Sequence, residues 1–373
     1  MSAAAISLPP LDLLRDVPTP ALVVDMAKAR ANHKRAVASL GPGQRLRPHF
    51  KAHKCSALAR MQLSEGADTI CCQTTWEAVV LARTGIRDIM VTNQVVDPAA
   101  LDELAEAAKS ADVSVLVDAP VHVDLLEATA RRAGVSFGVL IEIDVGMKRC
   151  GVPVDSDALI ELSDAIAASD VLHFAGLQSY DGQNSQIADP VKRKPAAMEA
   201  LALTRHAAER LKAHGVAVPM VAGCATAHLP FMAEMDVWTD IQVGSYLLMD
   251  QIYGGFPDLE YPRALFCLAT VIHRSPERIV LDVGLKHIGV DNGHPVWTGD
   301  TSAPLRFSDE HTTIAVTPEN GIAVGDRTFL LPRHIDPTIN LHPTLWLLDD
   351  DGVTPVPVDG RMGARGPAAA EVR

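Results

Sequence analysis

The chain has 373 residues, a formal net charge of −13, and 48% hydrophobic residues of which few are aromatic. This length accommodates two domains, and the composition favours an aliphatic, Ala-rich core of the kind found in α/β proteins. The acidic balance argues against nucleic acid or an anionic membrane surface as a partner.

Targeting signals and disulfides are not expected. The first ten residues lack the basic region and long apolar core of a signal peptide, and no apolar run is long enough to span a bilayer. The six cysteines include no Cys-x-x-Cys pair, and a chain of this size does not need disulfides. We therefore expect reduced thiols in a cytoplasmic enzyme.

The first 262 residues repeat one pattern, in which a short strand is followed by a polar loop and an amphipathic helix. Eight strands alternating with helices predict a (β/α)8 barrel. A further strand at 21–24 is surplus to the barrel and is available to pair with another domain. The eight predicted barrel strands are 46–49, 69–73, 88–92, 114–118, 137–144, 173–179, 220–222 and 240–243. The predicted helices are 26–40, 56–64, 75–83, 98–110, 121–132, 157–168, 191–214 and 227–235.

The alternation of strands and helices ends after Tyr261, Pro262 and Arg263, and no long helical pattern follows. Short apolar or alternating segments separated by turn residues predict a second, β-rich domain. We expect a barrel domain at 18–262, a C-terminal β domain at 263–362 to which residues 1–25 contribute, and a flexible tail at 363–373. The predicted strands of the β domain are 264–273, 278–283, 312–316, 328–331 and 345–348.

The stretch from Arg47 to Cys55 follows the first barrel strand and is crowded with basic side chains. Its position places Lys51 at the mouth of the barrel, where active sites of this architecture lie. The charged form of an amine is disfavoured among cations and apolar groups, and a neutral lysine amine attacks aldehydes such as pyridoxal phosphate (PLP). A basic surface loop is the alternative interpretation.

Other polar or small residues follow the remaining strands. Small residues let backbone N–H groups approach a phosphate closely, so the turns after the last two strands are candidates for phosphate binding. Ordinary turns and surface charges are the alternatives for each segment taken alone. The phosphate candidates are Gly223, Thr226, Gly244, Ser245 and the hydroxyl of Tyr246. Arg149 could hold the cofactor ring or the substrate carboxylate, Tyr180 could stack on or hydrogen-bond the cofactor, and Gln73 is a further cofactor-binding candidate.

Several of these segments resemble motifs of one enzyme family. They are Arg-Pro-His-x-Lys-x-His-Lys at 47–54, Asp-Val-Gly-x-x-Arg-Cys-Gly at 144–151, Gly-Leu-Gln-x-Tyr at 176–180, Gly-Ser-Tyr-x-x-Met-Asp at 244–250 and Leu-Asp-x-Gly-Leu-Lys at 281–286. Together they resemble the D-threonine aldolase and D-serine dehydratase family of alanine-racemase-like, fold type III PLP enzymes. The resemblance implies a barrel of the alanine racemase N-terminal type with a C-terminal β domain. It also implies that Lys51 carries PLP covalently.

A second constellation lies in the β domain at His334 and Asp336. In an extended segment, residues two apart point the same way, so both side chains can bind one ion in an open, catalytic site. The pattern is weak alone but resembles the His-x-Asp of the family's aldolases, whereas its dehydratases carry His-x-Cys. The resemblance implies a divalent ion, Mn²⁺, Mg²⁺, Co²⁺ or Zn²⁺. We expect residues 309–311 to support the two ligands.

The resemblance implies a lyase that cleaves the Cα–Cβ bond of D-β-hydroxy-amino acids, such as D-threonine, D-phenylserine or D-3-hydroxyaspartate, to glycine and an aldehyde. In that reading Lys51, His53 and Arg149 are the catalytic residues. A dehydratase forming a 2-oxo acid and ammonia is the nearest alternative, and a racemase has no need of the metal pair. A non-catalytic PLP-binding protein is disfavoured because such proteins lack the β domain. The resemblance also implies a head-to-tail homodimer.

Two departures from the aldolase pattern bear on the reaction. Gln186 stands where the aldolases carry a histidine that is a candidate base, and Cys224-Ala225 interrupts a Gly-Gly-Gly-Thr phosphate turn. We consider His53 or His228 as the replacement base. The residues alone decide neither the substituent at Cβ nor the diastereomer.

Overall fold

A computed structural model describes residues 6–361. The predicted tail at 363–373 therefore lies outside the described residues. The helices and strands are β1 (Ala21–Asp25), α1 (Met26–Ala38), β2 (Arg45–Leu46), α2 (Ser56–Ser64), β3 (Ile70–Cys72), α3 (Thr75–Arg83), β4 (Asp88–Val91), α4 (Pro98–Ala108), β5 (Asp112–Val117), α5 (Pro120–Ala133), β6 (Phe137–Asp144), β7 (Val152–Pro153), α6 (Ala158–Ala167), β8 (Leu172–Ser179), α7 (Pro190–Ala213), β9 (Val221–Gly223), β10 (Asp240–Ile241), β11 (Leu265–Ser275), β12 (Arg278–Leu281), β13 (Val296–Trp297), β14 (Leu305–Phe307), β15 (Thr312–Ala315), β16 (Arg327–Leu331), α8 (Ile335–Asn340), β17 (Thr344–Asp349) and β18 (Gly352–Pro357). Single 3-10 helices span Leu11–Leu14, Phe50–Ala52, Gly182–Gln186, Thr226–Glu234 and Tyr253–Gly255.

The first sheet is a parallel barrel. Its strands follow the order β2-β10-β9-β8-β6-β5-β4-β3. A parallel bridge between His49 and Cys71 joins the two end strands and closes the barrel. The predicted (β/α)8 barrel is therefore confirmed, and the carboxyl ends of all eight strands open at one mouth.

Local sequence signals start the barrel helices. The side chains of Asp25, Thr74, Asp97 and Asp189 each accept a hydrogen bond from a backbone N–H in the first turn of the following helix. These caps satisfy N–H groups that have no partner within the helix. Each cap therefore fixes the residue at which its helix begins.

The second sheet follows the order β14-β15-β12-β11-β1-β17-β18, with β16 and β13 attached beside β11. The N-terminal strand β1 is central to it, antiparallel to β11 and parallel to β17. Successive side chains of a strand point to opposite faces. Leu22 and Val24 accordingly join a core cluster shared with α1, whereas Ala21 and Val23 pack in another cluster beside Phe266.

Two predicted elements differ from the structure. The segment predicted as a helix at 227–235 is a 3-10 helix, and it contains Pro230, which lacks the N–H that an α-helix needs. The segment predicted to be extended around His334 instead starts α8, with His334 as the residue before its first turn. Pro337 is compatible with α8 because it lies in the first turn. Within residues 6–361, no helix is long and apolar enough to cross a membrane.

Candidate active site

A cavity of about 250 Å³ lies at the barrel mouth, and we call it the reaction cavity. The barrel contributes Lys51, Tyr180, Thr226 and Ser245 to its wall, and the second sheet's α8 segment contributes His334 and Asp336. A smaller side pocket shares Lys51 and Tyr180 with it and adds Gln73, Glu142 and Arg149. The two halves of the predicted site, remote in sequence, thus meet in one space.

Lys51 lies in the 3-10 helix that follows the first barrel strand. Its Nζ atom is 5.9 Å from the ring centre of Tyr180, and the guanidinium carbon of Arg149 is 5.4 Å from the same ring centre. Lys54 is different, because it forms an ion pair with the buried carboxylate of Glu77. Among the described residues, no carboxylate forms such a pair with Lys51.

His49 fixes the segment that carries Lys51, a role that the sequence interpretation missed. Its Nδ1 accepts a hydrogen bond from the Lys51 backbone N–H at 3.4 Å, so its Nε2 donates to the Thr92 hydroxyl at 3.0 Å. Burial, reinforced by the charge of Lys51, holds the pKa of His49 well below its usual value. The ring is therefore neutral at physiological pH, and both nitrogens are already engaged.

Of the residues expected to bind phosphate, some line the reaction cavity and others do not. Thr226, Gly244 and Ser245 line the reaction cavity. A Cβ atom on Gly244 would lie 2.9 Å from the Cβ of Ala52, so only glycine lets this turn approach the Lys51 helix. Gly223 does not line the cavity, because it packs under the indole of Trp238, where a Cβ would lie 2.4 Å from Nε1.

The predicted phosphate contact of the Tyr246 hydroxyl is wrong. The side chain is fully buried, and its hydroxyl hydrogen-bonds to His33 Nδ1 at 2.9 Å and accepts from Gln62 Nε2 at 2.8 Å. Only the backbone of Tyr246 stays near the turn, where its N–H donates to the Thr226 hydroxyl at 3.2 Å. Tyr246 therefore supports the turn from beneath.

His53, predicted to be catalytic, does not reach the reaction cavity. Its ring is buried, with Nδ1 accepting from the Cys55 N–H at 3.2 Å and Nε2 donating to Gln62 Oε1 at 3.1 Å. Burial lowers the pKa of His53 to about 4, so the ring is neutral. The hydrogen bonds to Cys55 and Gln62 hold the side chain in the core, and sequence spacing does not reveal that direction.

His334 and Asp336 converge although their segment is helical. His334 Nε2 lies 3.7 Å from Asp336 Oδ2, because His334 is still extended and Asp336 lies in the first turn of α8. His334 Nδ1 donates to Asp291 Oδ2 at 2.6 Å, which leaves Nε2 as the nitrogen with a free lone pair. Asp336 Oδ2 is buried with no hydrogen-bond partner among the described residues. A divalent cation would satisfy both atoms.

The predicted supporting role of residues 309–311 stays a prediction, because the contacts of Glu310 lie elsewhere. Glu310 accepts a hydrogen bond from Lys286 Nζ at 2.9 Å and lies 3.3 Å from His287 Nε2. Asp291 supports His334. It is 43 positions away in sequence, and no spacing rule connects the two residues.

Asp250 is a further wall residue of the reaction cavity that the sequence interpretation missed. Its Oδ1 accepts from the backbone N–H groups of Ile252 and Tyr253, at 3.0 and 2.9 Å. Its Oδ2 is buried and has no partner within the described part of the chain. Burial raises the pKa of Asp250 to about 6. The only sequence signal was its place at the end of the Gly244–Asp250 motif.

Asp181 and His228 form a buried pair behind the cavity. Both side chains are fully buried, and His228 Nδ1 lies 3.5 Å from Asp181 Oδ1. Burial raises the pKa of Asp181 to about 8 and lowers that of His228 to about 3, so both side chains are neutral near pH 7. His228 does not line the reaction cavity, which removes it as the replacement base. The pair joins the end of β8 to the loop after Thr226.

Comparisons with known proteins agree with this geometry. Residues 24–251 match the family described as alanine racemase, N-terminal domain, and residues 264–348 match the family described as putative serine dehydratase domain. A D-threonine aldolase of Arthrobacter sp is 37% identical over 92% of this chain and 94% of its own length. A 3-hydroxy-D-aspartate aldolase of Paracoccus denitrificans is 36% identical over 88% of this chain and 87% of its own.

Among solved structures, the D-threonine aldolase from Filomicrobium marinum superposes with a TM-score of 0.87 at 34% identity, over 93% of this chain and 96% of that chain. The predicted fold class, a barrel of the alanine racemase N-terminal type with a C-terminal β domain, is confirmed. The prediction of an enzyme, a PLP-dependent lyase, is also confirmed. The chain belongs to the D-threonine aldolase and D-serine dehydratase family of alanine-racemase-like enzymes.

Proposed function

We propose that this protein uses PLP and a divalent metal ion to cleave the Cα–Cβ bond of D-β-hydroxy-amino acids, giving glycine and an aldehyde. The observation that carries the proposal is the convergence of Lys51 with His334 and Asp336 in one cavity. The two aldolases compared above act, by their names, on D-amino acids with a β-hydroxyl group.

The residues at the barrel mouth fit PLP. Lys51 supplies an amine without a carboxylate partner among the described residues, beside the aromatic ring of Tyr180. Thr226, Gly244 and Ser245 supply a cup of small residues for the phosphate. Arg149, on the other pocket wall, supplies a guanidinium for the substrate carboxylate or the cofactor ring. Gln73 lines the same side pocket.

The residues from the second sheet fit a divalent ion. His334 Nε2 and the unpartnered Asp336 Oδ2 are the proposed ligands, and Asp291 orients the imidazole. One imidazole and one carboxylate leave open positions for water or substrate. When bound, PLP supplies an electron sink for the bond cleavage, and the metal lowers the pKa of a coordinated hydroxyl group.

The carboxylate at position 336 favours cleavage over dehydration. The family's aldolases carry His-x-Asp at this point and its dehydratases carry His-x-Cys, so Asp336 agrees with the aldolase pattern. Dehydration remains the second candidate for one specific reason: residues 264–348 match the putative serine dehydratase domain. In that reaction Lys51 would remove the Cα proton, and the products would be a 2-oxo acid and ammonia.

The products of a substrate panel test the proposal. The metal-loaded holoenzyme would be incubated with D-threonine, D-phenylserine, D-3-hydroxyaspartate and D-serine, and glycine and ammonia would be assayed separately. We expect glycine and an aldehyde from at least one of the first three. Ammonia without glycine would establish the dehydratase instead.

Borohydride reduction tests the cofactor residue independently of turnover. We expect peptide mapping to find the reduced cofactor on Lys51 and not on Lys54, which is an internal control because it lies three positions away and pairs with Glu77. A colourless protein with no labelled peptide would exclude the PLP assignment.

As part of the same proposal, the enzyme is cytoplasmic and acts as a homodimer.

A further inference from the structure

We propose that Asp250 is the general base that takes the proton from the substrate's β-hydroxyl group. This inference rests on the proposed function, because it assigns a step of that reaction. Two carboxylates line the reaction cavity, and each has a buried oxygen without a partner among the described residues. Asp336 is a proposed metal ligand, whereas Asp250 has no assigned role.

The side chain of Asp250 is held in a fixed direction. Two backbone N–H groups, of Ile252 and Tyr253, hold its Oδ1. The preceding residue, Met249, has a φ of 54°, a left-handed conformation that is costly for a non-glycine residue. The next residue, Gln251, donates its N–H to the carbonyl oxygen of Pro332 at 3.2 Å, which ties the segment to the chain that leads into His334.

The free oxygen of Asp250 belongs to the cavity in which the substrate's β-hydroxyl group would bind. Asp250 is only 1% exposed and lines the same cavity as Lys51, His334 and Asp336. A buried carboxylate oxygen without a partner among the described residues is costly unless a bound group donates a hydrogen bond to it. The β-hydroxyl of a substrate at the metal pair is such a donor.

The histidines and the other carboxylate of the cavity are already engaged. Both ring nitrogens of His49 make hydrogen bonds, to Lys51 and Thr92. His334 and Asp336 are the proposed metal ligands. Gln186 lines the cavity, but an amide does not accept a proton at neutral pH. Asp250 is therefore the carboxylate that remains.

The step balances without another reactant. The hydroxyl proton moves to Asp250 Oδ2, and the electron pair of that O–H bond forms the C=O bond of the aldehyde. The Cα–Cβ bond breaks, its electron pair remains with Cα, and a proton from solvent completes glycine, which balances the proton that Asp250 later releases. No oxidant or reductant is required.

The test compares cleavage with a reaction that needs no β-hydroxyl. Exchange of the α-hydrogen of glycine with D₂O, followed by NMR, uses the cofactor site but not the proposed base. In Asp250→Asn, the amide oxygen still accepts from Ile252 and Tyr253, so the fold is preserved. We expect kcat for D-threonine or D-phenylserine to fall by about 10²–10⁴-fold with little change in KM, while glycine exchange continues.

The matched control is Asp282→Asn. Asp282 also anchors a backbone N–H, that of Thr270 at 2.8 Å, but it directly follows β12 and does not line the reaction cavity. Its kcat should equal that of the wild type. Mn²⁺ affinity, measured by titration of metal-free holoenzyme, should be unchanged in Asp250→Asn, because the proposal assigns Asp250 to the proton and not to the ion.

Each other outcome overturns the assignment. Undiminished cleavage in Asp250→Asn excludes a base role. Loss of glycine exchange together with cleavage makes Asp250 a structural residue, and a fall of about tenfold or more in Mn²⁺ affinity makes it part of the metal site. If the wild type exchanges glycine but cleaves no D-β-hydroxy-amino acid, the proposed function itself fails, and that result is distinct from the other three.

Discussion

At the residue scale, the surroundings of a side chain decide its role more than its type does. Lys51 and Lys54 lie three positions apart in the same basic stretch. Lys54 pairs with Glu77, whose other oxygen accepts the Gln73 N–H at 2.9 Å, so it belongs to the structure of the barrel wall. Lys51 faces Tyr180 and the cavity instead.

Replacing Asp291 with alanine should weaken metal binding. Asp291 Oδ2 accepts the Nδ1 proton of His334 at 2.6 Å, which fixes the tautomer and the ring orientation needed for Nε2 to bind an ion. Loss of such a partner typically costs 10–100-fold in affinity, so we expect a decrease of about 10–100-fold. Calorimetric titration of metal-free holoenzyme with Mn²⁺ measures it.

Asp309→Ala is the matched control for that titration. Asp309 is exposed, and its carboxylate lies 3.9 Å from Lys286 Nζ, away from the proposed ligands. Its affinity should equal that of the wild type. An equal decrease in both variants would mean that general surface charge, and not the orientation of His334, governs binding.

The buried Asp181 should make folding stability depend on pH. Its folded pKa of about 8 lies above its unfolded value, so its stabilising contribution is complete at low pH and is lost as pH rises through about 8. Asp181→Asn removes that dependence. Between about pH 6.5 and pH 9, the variant should gain on the order of 2 kcal/mol relative to the wild type, because one pKa unit corresponds to about 1.4 kcal/mol.

Urea unfolding at a series of pH values measures this difference. The titration of unfolded His228 is common to the variant and the wild type, so it cancels in their difference. The exposed Asp102→Asn is the control and should give a difference that does not change with pH. A constant difference for Asp181→Asn as well would mean that the buried carboxyl is already ionised at neutral pH.

At the element scale, a β-bulge in β8 sets the position of Tyr180. The pairing of β6 with β8 shifts register between Val139 and Leu140. On the β8 side of the shift, Gly176 has a φ of 144°, and a Cβ atom there would lie 2.0 Å from the Met220 carbonyl oxygen. Only glycine allows this approach of neighbouring backbones.

Replacing Gly176 with alanine should therefore displace the strand end that carries Tyr180. We expect a loss of stability well above 1 kcal/mol, because both the φ angle and the backbone contact oppose a side chain, and weaker PLP retention on dialysis. Gly134→Ala is the control, since that glycine also has a positive φ, of 67°, but no atom lies near its would-be Cβ. It should cost only about 1 kcal/mol and leave PLP retention unchanged. If both variants lost stability and PLP retention equally, the bulge would not be what positions Tyr180.

The barrel was predictable from sequence because each βα unit repeats the same local signals. All eight predicted barrel strands overlap an observed strand, from β2 to β10. β7, β13 and β14 have only two or three residues, too few for a periodic pattern. The equally short β2 and β10 were predicted from their place in the repeated βα pattern. β18 was missed because Pro355 and Pro357 argue against a strand, although an edge position tolerates them.

Site residues were less predictable than elements, because sequence position does not reveal the direction of a side chain. Tyr246 is next to a cavity residue, yet its hydroxyl points to His33 and Gln62. Asp250 was missed because the bonds that aim it come from two backbone N–H groups. Its neighbours in the cavity include residues more than eighty positions away, which only the tertiary fold brings close.

At the scale of the whole molecule, the reaction cavity is where the two sheets meet. The barrel contributes the 3-10 helix with Lys51, the second sheet contributes α8, and these two elements are in contact. The N-terminal β1 strengthens the same association, because it lies inside the second sheet and leads directly into α1 of the barrel. A ligand held by α8 at this junction is bound only while both parts are folded together.

Metal binding should therefore stabilise the whole protein against unfolding. An ion that binds only the folded state at 100 times its dissociation constant adds about 2.7 kcal/mol. We expect that increase, in urea unfolding of the holoenzyme with Mn²⁺ against chelator, for the wild type and for Asp309→Ala but not for His334→Ala. Asp118, Glu142 and Cys150 also place three ligand atoms within 4.8 Å of one another. If Mn²⁺ stabilised His334→Ala as much as the wild type, the ion would bind at Asp118, Glu142 and Cys150 and not at α8. Loss of the stabilisation in His334→Ala would place the ion in the cavity shared by the two sheets.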